Sequence, residues 1–467
     1  LITTWGIGSI QSFPNNDSFM LLGLDAWNYL YEQIDHKKIQ EHTIIEPRLA
    51  RRLKVKDFRK PLIFDKDIDE YSTSMPYVRF PSWHICPNCG SMKQIRAQQK
   101  RNIMNSKDTI CDKLYEPCKS DVQETELEPS RFVLICENGH IDDFPYHWWL
   151  RSKLKKKNAK LKPLELRLHT GKFSSAVSSM TLECTANKIR APLNEMYSVF
   201  NNSDSKKCNG AKPWLGITYP DDKSDCDDCE GFYRLTYRNA LNVHSKITKA
   251  SISLPRNKDI IPEYVSELID EDINTVRKYP DTLNTVAEKF NRKYNIEIND
   301  IKNYIDQKLI DFDKDYTEIE FRNEEYETLK AGGGNLKSDS FYAEKVKKPF
   351  NNKILNELIA SISIVHRMIE TRAFVGFRRL VGGDLPILTT DEDIVDLKSN
   401  LSINTMNWLP AYQSKGEGIF IDFNSDAIKK WTENDFTKSR ITKMELNYNK
   451  DMINRSGEEK NLNPAYP

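Results

Sequence analysis

The sequence predicts an α+β, multidomain chain with two structural four-cysteine modules and a helical insert, and three observations predict it. Eight of the nine cysteines fall into two clusters of four, each containing a Cys-x-x-Cys pair. Short alternating apolar–polar runs, such as Leu164-Glu-Leu166-Arg-Leu168, surround the clusters. From about residue 258 the composition turns charged, Tyr-rich and helix-periodic. At 467 residues the chain is long enough for two to four domains with real cores.

Five regions follow in order. Residues 1–80 form an N-terminal α+β region, where Met20-Leu21-Leu22-Gly-Leu24 reads as a buried strand or helix start and Pro14–Asp17 as a turn. Residues 81–162 carry Cys86, Cys89, Cys111 and Cys118, then a polar-aromatic segment and a basic run. Residues 163–257 are β-rich and carry Cys184, Cys208, Cys226 and Cys229. Residues 258–345 are a charged helical insert with few residues for a deep core, closing on the glycine linker at 331–335. In residues 346–467, Ile354, Leu358, Ile362, Val365 and Ile369 read as the apolar stripe of one helix, packed on a β-rich segment around 404–424. Leu1 is not a Met, and the end at Asn-Pro-Ala-Tyr-Pro reads as a truncation or as joined segments.

A Cys-x-x-Cys turn brings two thiolates onto one tetrahedral ion, and a second pair closes the shell. The expectation is two structural Zn²⁺ ions, because four thiolates leave no open position for water. Gly90 after Cys89 allows the tight turn of a zinc knuckle. Cys184 and Cys208 stand apart from Cys226 and Cys229, so the second set is the less regular. The leftover Cys136 follows an apolar run and reads as a buried thiol, with His140 a possible substitute ligand at the first site.

Residues 136–149, CENGHIDDFPYHWW, allow two readings. In one, Glu137, His140, Asp142 and Asp143 bind a divalent ion or move protons, as in a stand-alone metal-dependent nuclease or other hydrolase. In the other, which is favoured, Asn138-Gly139 turns the chain and Asp142 or Asp143 caps a helix with Pro145 in its first turn. Trp148 and Trp149 precede seven cations in residues 151–162. Stacking faces beside phosphate-binding charge suit single-stranded DNA, while a solvated helix face is the plainer reading. The candidate DNA-binding residues are Trp148, Trp149, Arg151, Lys153, Lys155, Lys156, Lys157 and Lys160, with Arg378 and Arg379 as a further pair that reads first as a surface salt-bridge site. Lys93, Arg96, Lys100 and Arg101 form a weaker patch.

The formal charge of +1 excludes a polycation, so nucleic-acid contact must be local or shared with a partner. The odd cysteine count, the lack of a secretory signal and the lack of a run approaching ~20 apolar residues indicate a cytoplasmic chain with no membrane span. No G-x-x-x-x-G-K-[ST], G-x-S-x-G or H-E-x-x-H pattern occurs, so a motor activity would belong to another chain.

A series of ordered motifs also carries a family resemblance. They run Gly6-Ile-Gly8-Ser9-Ile10, Leu22-Gly-Leu-Asp25-Ala-Trp27, Glu46-Pro47-Arg48-Leu49 and Val78-Arg79-Phe80-Pro81 with Trp83. They continue through Cys86-Pro-Asn-Cys89-Gly90, Cys136-Glu-Asn-Gly-His140 with Asp142-Asp-Phe-Pro145, and Cys208-x-Gly-x-x-Pro213-Trp214. Arg238-Asn-Ala-x-Asn242, Thr371-Arg372-Ala-Phe-Val-Gly376-Phe377 and Trp408-Leu-Pro-Ala-Tyr412 complete the series. Together they resemble the DrmB family of DISARM anti-phage defence. That resemblance implies a zinc-binding, non-enzymatic subunit that pairs with a DrmA-type helicase and engages DNA, with single-stranded ends or overhangs as the trigger. The chain departs from the family in lacking a second cysteine near Cys184, in the 258–345 insert and in the part expected after Pro467.

Overall fold

Apolar side chains at every second position of short segments dictate strands, and the computed structural model places many short strands among the described residues of the first 250. It describes residues 6–13, 17–32, 36–62, 75–95, 109–153, 166–170, 177–201, 206–216, 229–254, 261, 263–313, 317–332, 340–379 and 400–456. The result is a mixed helix-and-sheet fold, as the sequence predicts. Its internal contacts divide the chain into two units that cut across the five sequential regions.

The first unit comprises Leu1–Thr43, Arg59–Lys249 and Ala373–Ala411. It holds four three-stranded antiparallel sheets. Ser18–Leu21 lies between Ile10–Ser12 and Tyr77–Arg79. Trp83–Ile85 lies between Met92–Gln94 and Glu128–Pro129, and Phe132–Ile135 between Ile141–Asp143 and Arg234–Tyr237. Thr181–Cys184 lies between Leu166–His169 and Ile189–Pro192. Phe132–Ile135 is buried at every position, as befits a central strand covered on both faces. The core between these sheets is aromatic: Phe144, Tyr146, Trp149, Phe200 and Tyr233 are fully enclosed. Met20 to Leu24 supplies both a strand end and the start of the helix Leu24–Glu32, so each of its two sequence readings is realised.

The second unit comprises Ile44–Phe58, Ala250–Arg372 and Tyr412–Pro467. Helices Glu263–Lys278, Leu283–Tyr294 and Ile298–Asp313 pack together around Val265, Ile269, Ile273, Phe290, Ile301 and Ile305. The insert therefore owns a core, contrary to its sparse apolar composition. The reason is spacing: few apolar residues suffice when all of them share the inward faces of three helices. A fourth helix, Glu318–Ala331, starts at a full capping box between Thr317 and Glu320 and ends at Gly332 with φ +69°.

The apolar stripe at 354–369 is not one helix. A short helix, Lys353–Leu358, gives way to the strand Ile359–Arg378. The run of Ile, Ser, Val and Thr favours the extended form, and the start of the strand buries the alternate positions Ile359, Ser361, Ser363 and Val365, so Ile362 and Val365, three apart, leave it on opposite faces. The segment pairs antiparallel with Phe341–Lys345, and Trp408–Phe423 is a strand as expected.

Candidate metal centres

The first centre grows from two tight turns. Cys86 ends the strand Trp83–Ile85, and the chain reverses through Cys89 and Gly90 so that Gly90 N–H donates to Cys86 C=O at 2.9 Å. Gly90 has φ +73°, and a Cβ there would meet the Leu168 carbonyl oxygen at 2.1 Å, so only glycine fits. The Cys89 amide approaches Cys86 Sγ at 3.5 Å, and the Lys113 amide approaches Cys111 Sγ at 3.4 Å, with Lys113 itself at φ +52°. These turns bring Cys86, Cys89, Cys111 and Cys118 together, all buried, with ligand atoms within 4.8 Å of one another. The Cys86–Cys118 and Cys89–Cys111 sulfur separations are both 3.6 Å. That is far beyond a disulfide but close to the edge, about 3.8 Å, of a tetrahedron built on ~2.3 Å metal–sulfur bonds. Burial pushes the Cys86 thiol well up. Burial acts the same way on Cys89, but hydrogen bonding to Ser91 outweighs it and the thiol is held down.

The second centre departs from the expected set. Cys136, His140, Cys208 and Cys229 converge, again buried and within 4.8 Å of one another. The hairpin between Phe132–Ile135 and Ile141–Asp143 turns at Asn138-Gly139, with Gly139 at φ +84°, and puts Cys136 and His140 on its two sides. His140 Nδ1 lies 3.5 Å from the sulfurs of both Cys136 and Cys208, and Cys136 and Cys229 are 3.7 Å apart. Asn138 donates to Cys229 Sγ at 3.2 Å, and the Gly210 amide lies 3.4 Å from Cys208 Sγ. Contact with Cys208, aided by His140, pulls the Cys136 thiol down to about 4 against the effect of burial. Cys208, facing Cys136, is pushed far up.

Cys184 is not in this set. It ends the strand Thr181–Cys184, paired with Leu166 and Ile189, with its side chain in the apolar core. Cys226 lies outside the described residues. His140 thus joins the second centre rather than the first, and Cys136 is a candidate ligand rather than a spare thiol. A partial signal was present in the sequence: Cys136, Cys208 and Cys229 of this centre each have a glycine within three residues on their C-terminal side and Cys184 has none, although Cys86, Cys111 and Cys118 of the first centre lack one as well.

The two aspartates do not cap a helix. Both lie on the strand Ile141–Asp143, and the helix Tyr146–Ser152 has Pro145 at its N-cap with no side-chain cap. Asp143 accepts hydrogen bonds from the Ser82 amide and hydroxyl at 2.8 and 2.5 Å, four residues before Cys86. Asp142 accepts from Asn209 at 3.0 Å and Tyr233 at 3.2 Å, beside Cys208. Consecutive strand residues face opposite ways, so each carboxylate braces a different centre. Glu137 is exposed. Glu137, His140, Asp142 and Asp143 therefore do not converge; among the described residues the two cysteine-bearing groups alone have metal-ligand geometry.

The candidate DNA-binding residues separate as well. Trp149 is fully buried, donating its indole N–H to the Pro192 carbonyl at 3.1 Å, and Trp148 packs half-buried against Phe200. Trp149 therefore offers no open stacking face. Arg151 is exposed; Lys153 is exposed at its head, pairs with Glu195 and lies over the Trp149 ring. Lys155, Lys156, Lys157 and Lys160 lie outside the described residues. Arg378 is half-buried. Arg379 is 2% exposed, donating Nε to the Gly139 carbonyl at 2.8 Å and its other nitrogens to the carbonyls of Val243 and Gly8. Its guanidinium lies over the rings of Phe377 and Trp214, so it is a core residue and not a surface cation. Burial lowers its pKa to about 9, and the Cys136 thiolate acts in the opposite sense.

Residues 1–245, which contain all eight grouped ligands, match the family described as Domain of unknown function (DUF8724). The chain belongs to that family. It is also 28% identical over 445 residues to the "DISARM protein DrmB" of Bacillus paralicheniformis, an alignment covering 90% of this chain and 68% of that protein. This member of the family is DrmB-like, as the motifs indicated, and no helix among its described residues is long and apolar enough to cross a membrane.

Proposed function

We propose that the chain is a non-enzymatic, zinc-braced, cytoplasmic subunit of a DISARM-type anti-phage defence complex. In this reading it pairs with a DrmA-type helicase and helps recognise DNA, preferentially single-stranded ends or overhangs. The observation that carries the proposal is the similarity to a DISARM DrmB along nine-tenths of the chain. The donor sets support zinc: four buried sulfurs in one group, three sulfurs and an imidazole in the other, spaced for a tetrahedral ion. Zinc in such closed shells supplies folding free energy rather than an activated water. The aspartates of the 136–149 segment are engaged in hydrogen bonds, Asp143 with Ser82 and Asp142 with Asn209 and Tyr233, which favours a structural over a hydrolytic role for them.

The test is co-purification with a DrmA-type helicase, followed by size-exclusion chromatography with and without a single-stranded oligonucleotide. A co-eluting complex that binds the oligonucleotide more tightly than either chain alone is expected. Separate elution, or cleavage of DNA by this chain alone with Mg²⁺, would overturn the reading.

A further inference from the structure

Both ligand groups sit in protein interior, and both are anionic once a divalent cation is bound. Four thiolates outnumber its charge by two, and three thiolates with a neutral imidazole by one. An excess charge buried away from water is costly unless an opposite charge lies nearby. Such compensation can come from the layer of residues behind the ligands.

One arginine stands in that layer at each centre, with the same geometry. At the second, Arg379 donates Nε to the carbonyl of Gly139, inside the turn that carries Cys136 and His140, at 2.8 Å. At the first, Arg167 donates Nε to the carbonyl of Cys89, inside the knuckle, also at 2.8 Å, and reaches the Glu116 carbonyl, two residues before Cys118, at 3.3 Å. Each guanidinium is flattened against aromatic rings, Tyr115 for Arg167 and Phe377 and Trp214 for Arg379, which fixes its plane. Neither is within ion-pair distance of a carboxylate among the described residues; both donate to backbone carbonyls. Arg379 is a buried cation with no carboxylate partner beside the second centre, and the half-buried Arg167 stands in the same relation to the first.

We infer that Arg167 and Arg379 are the outer-layer counter-ions and positioning residues of the two metal centres, one to each, holding the ligand turn by its carbonyl while offsetting the excess negative charge. The inference rests on the zinc-binding reading above. Partners in this layer commonly set metal affinity by 10–100-fold. Because the pairings are separate, the effects should be separate too.

The experiment uses the full chain reconstituted with zinc, reading metal content and the rate of release to a colorimetric chelator. The same variants are then loaded with cobalt, whose absorption bands distinguish four-sulfur from three-sulfur, one-nitrogen ligation. Wild type should hold two ions. In Arg379→Met one ion should leave 10–100-fold faster and the three-sulfur cobalt signature should weaken, with the four-sulfur signature unchanged. Arg167→Met should show the converse. If a Met variant is insoluble, the Lys variant, which keeps the charge but loses the planar fork, should release the same ion at an intermediate rate. Unchanged release in these variants, or both variants loosening the same ion, would overturn the inference while leaving zinc binding intact. A wild-type chain that holds no zinc would instead overturn the zinc reading beneath it.

Discussion

Asp142 and Asp143 show how much one strand position decides. Side by side in sequence, they brace different metal centres because successive side chains leave a strand on opposite faces. Burial dominates the state of Asp143 and raises its carboxyl to about 7, despite the opposing hydrogen bonds from Ser82. The unfolded chain, with an ordinary carboxyl, has released this proton by about pH 4. Between those values the folded state binds the extra proton, so stability from this group is complete at low pH and is lost as pH rises toward 7. Asp143→Asn stays neutral throughout and can still accept from the Ser82 amide. Urea melts of the zinc-loaded protein should therefore show wild type losing about 2 kcal/mol relative to the variant between pH 5 and 7. A constant difference across that range would mean the carboxyl is ionised in the folded protein.

At the scale of elements, the three-helix insert is the clearest case of local independence. Every buried apolar residue in its cluster lies between Ile261 and Ile305. Ile301 is fully buried at its centre, so Ile301→Ala should cost about 2–5 kcal/mol of bundle stability. Hydrogen exchange should show lost protection confined to residues 263–313, with zinc content unchanged. Spread of the loss into the strands around Cys136 would show that the insert's core is not its own. The insert's helices were legible from the sequence because Ile301, Tyr304, Ile305 and Leu309 repeat at helical spacing. The strand at 359–378 was not, because the apolar residues Ile354, Leu358, Ile362, Val365 and Ile369 follow helical spacing while the start of the strand buries a different set, Ile359, Ser361, Ser363 and Val365, two of them serines. The first metal group was legible because both its pairs lie in turns that adjoin in sequence and space. The second was only half legible: Cys208 and Cys229 were expected, but Cys136 and His140 are matched to them by hairpin register, which pairs distant segments.

Over the whole molecule, charge limits what the chain can do with DNA. A net charge of +1 over 467 residues gives no general attraction to phosphate, so affinity must come from a local cluster. Of the cations first considered, Arg379 is enclosed and Lys153 is engaged by Glu195 and the Trp149 ring. With Trp149 also enclosed, the recognition we propose draws chiefly on the cluster of Lys155, Lys156, Lys157 and Lys160. Each cation that neutralises a phosphate of a single strand contributes about 0.7 to the slope of log affinity against log salt. Replacing all four lysines with alanine should therefore lower that slope by about 3, with the largest loss of affinity at low salt. Fluorescence anisotropy of a labelled single-stranded oligonucleotide over a salt series measures it directly. An unchanged slope would place the DNA contact elsewhere on the chain or on the partner helicase, and the basic run would then be a solvated surface.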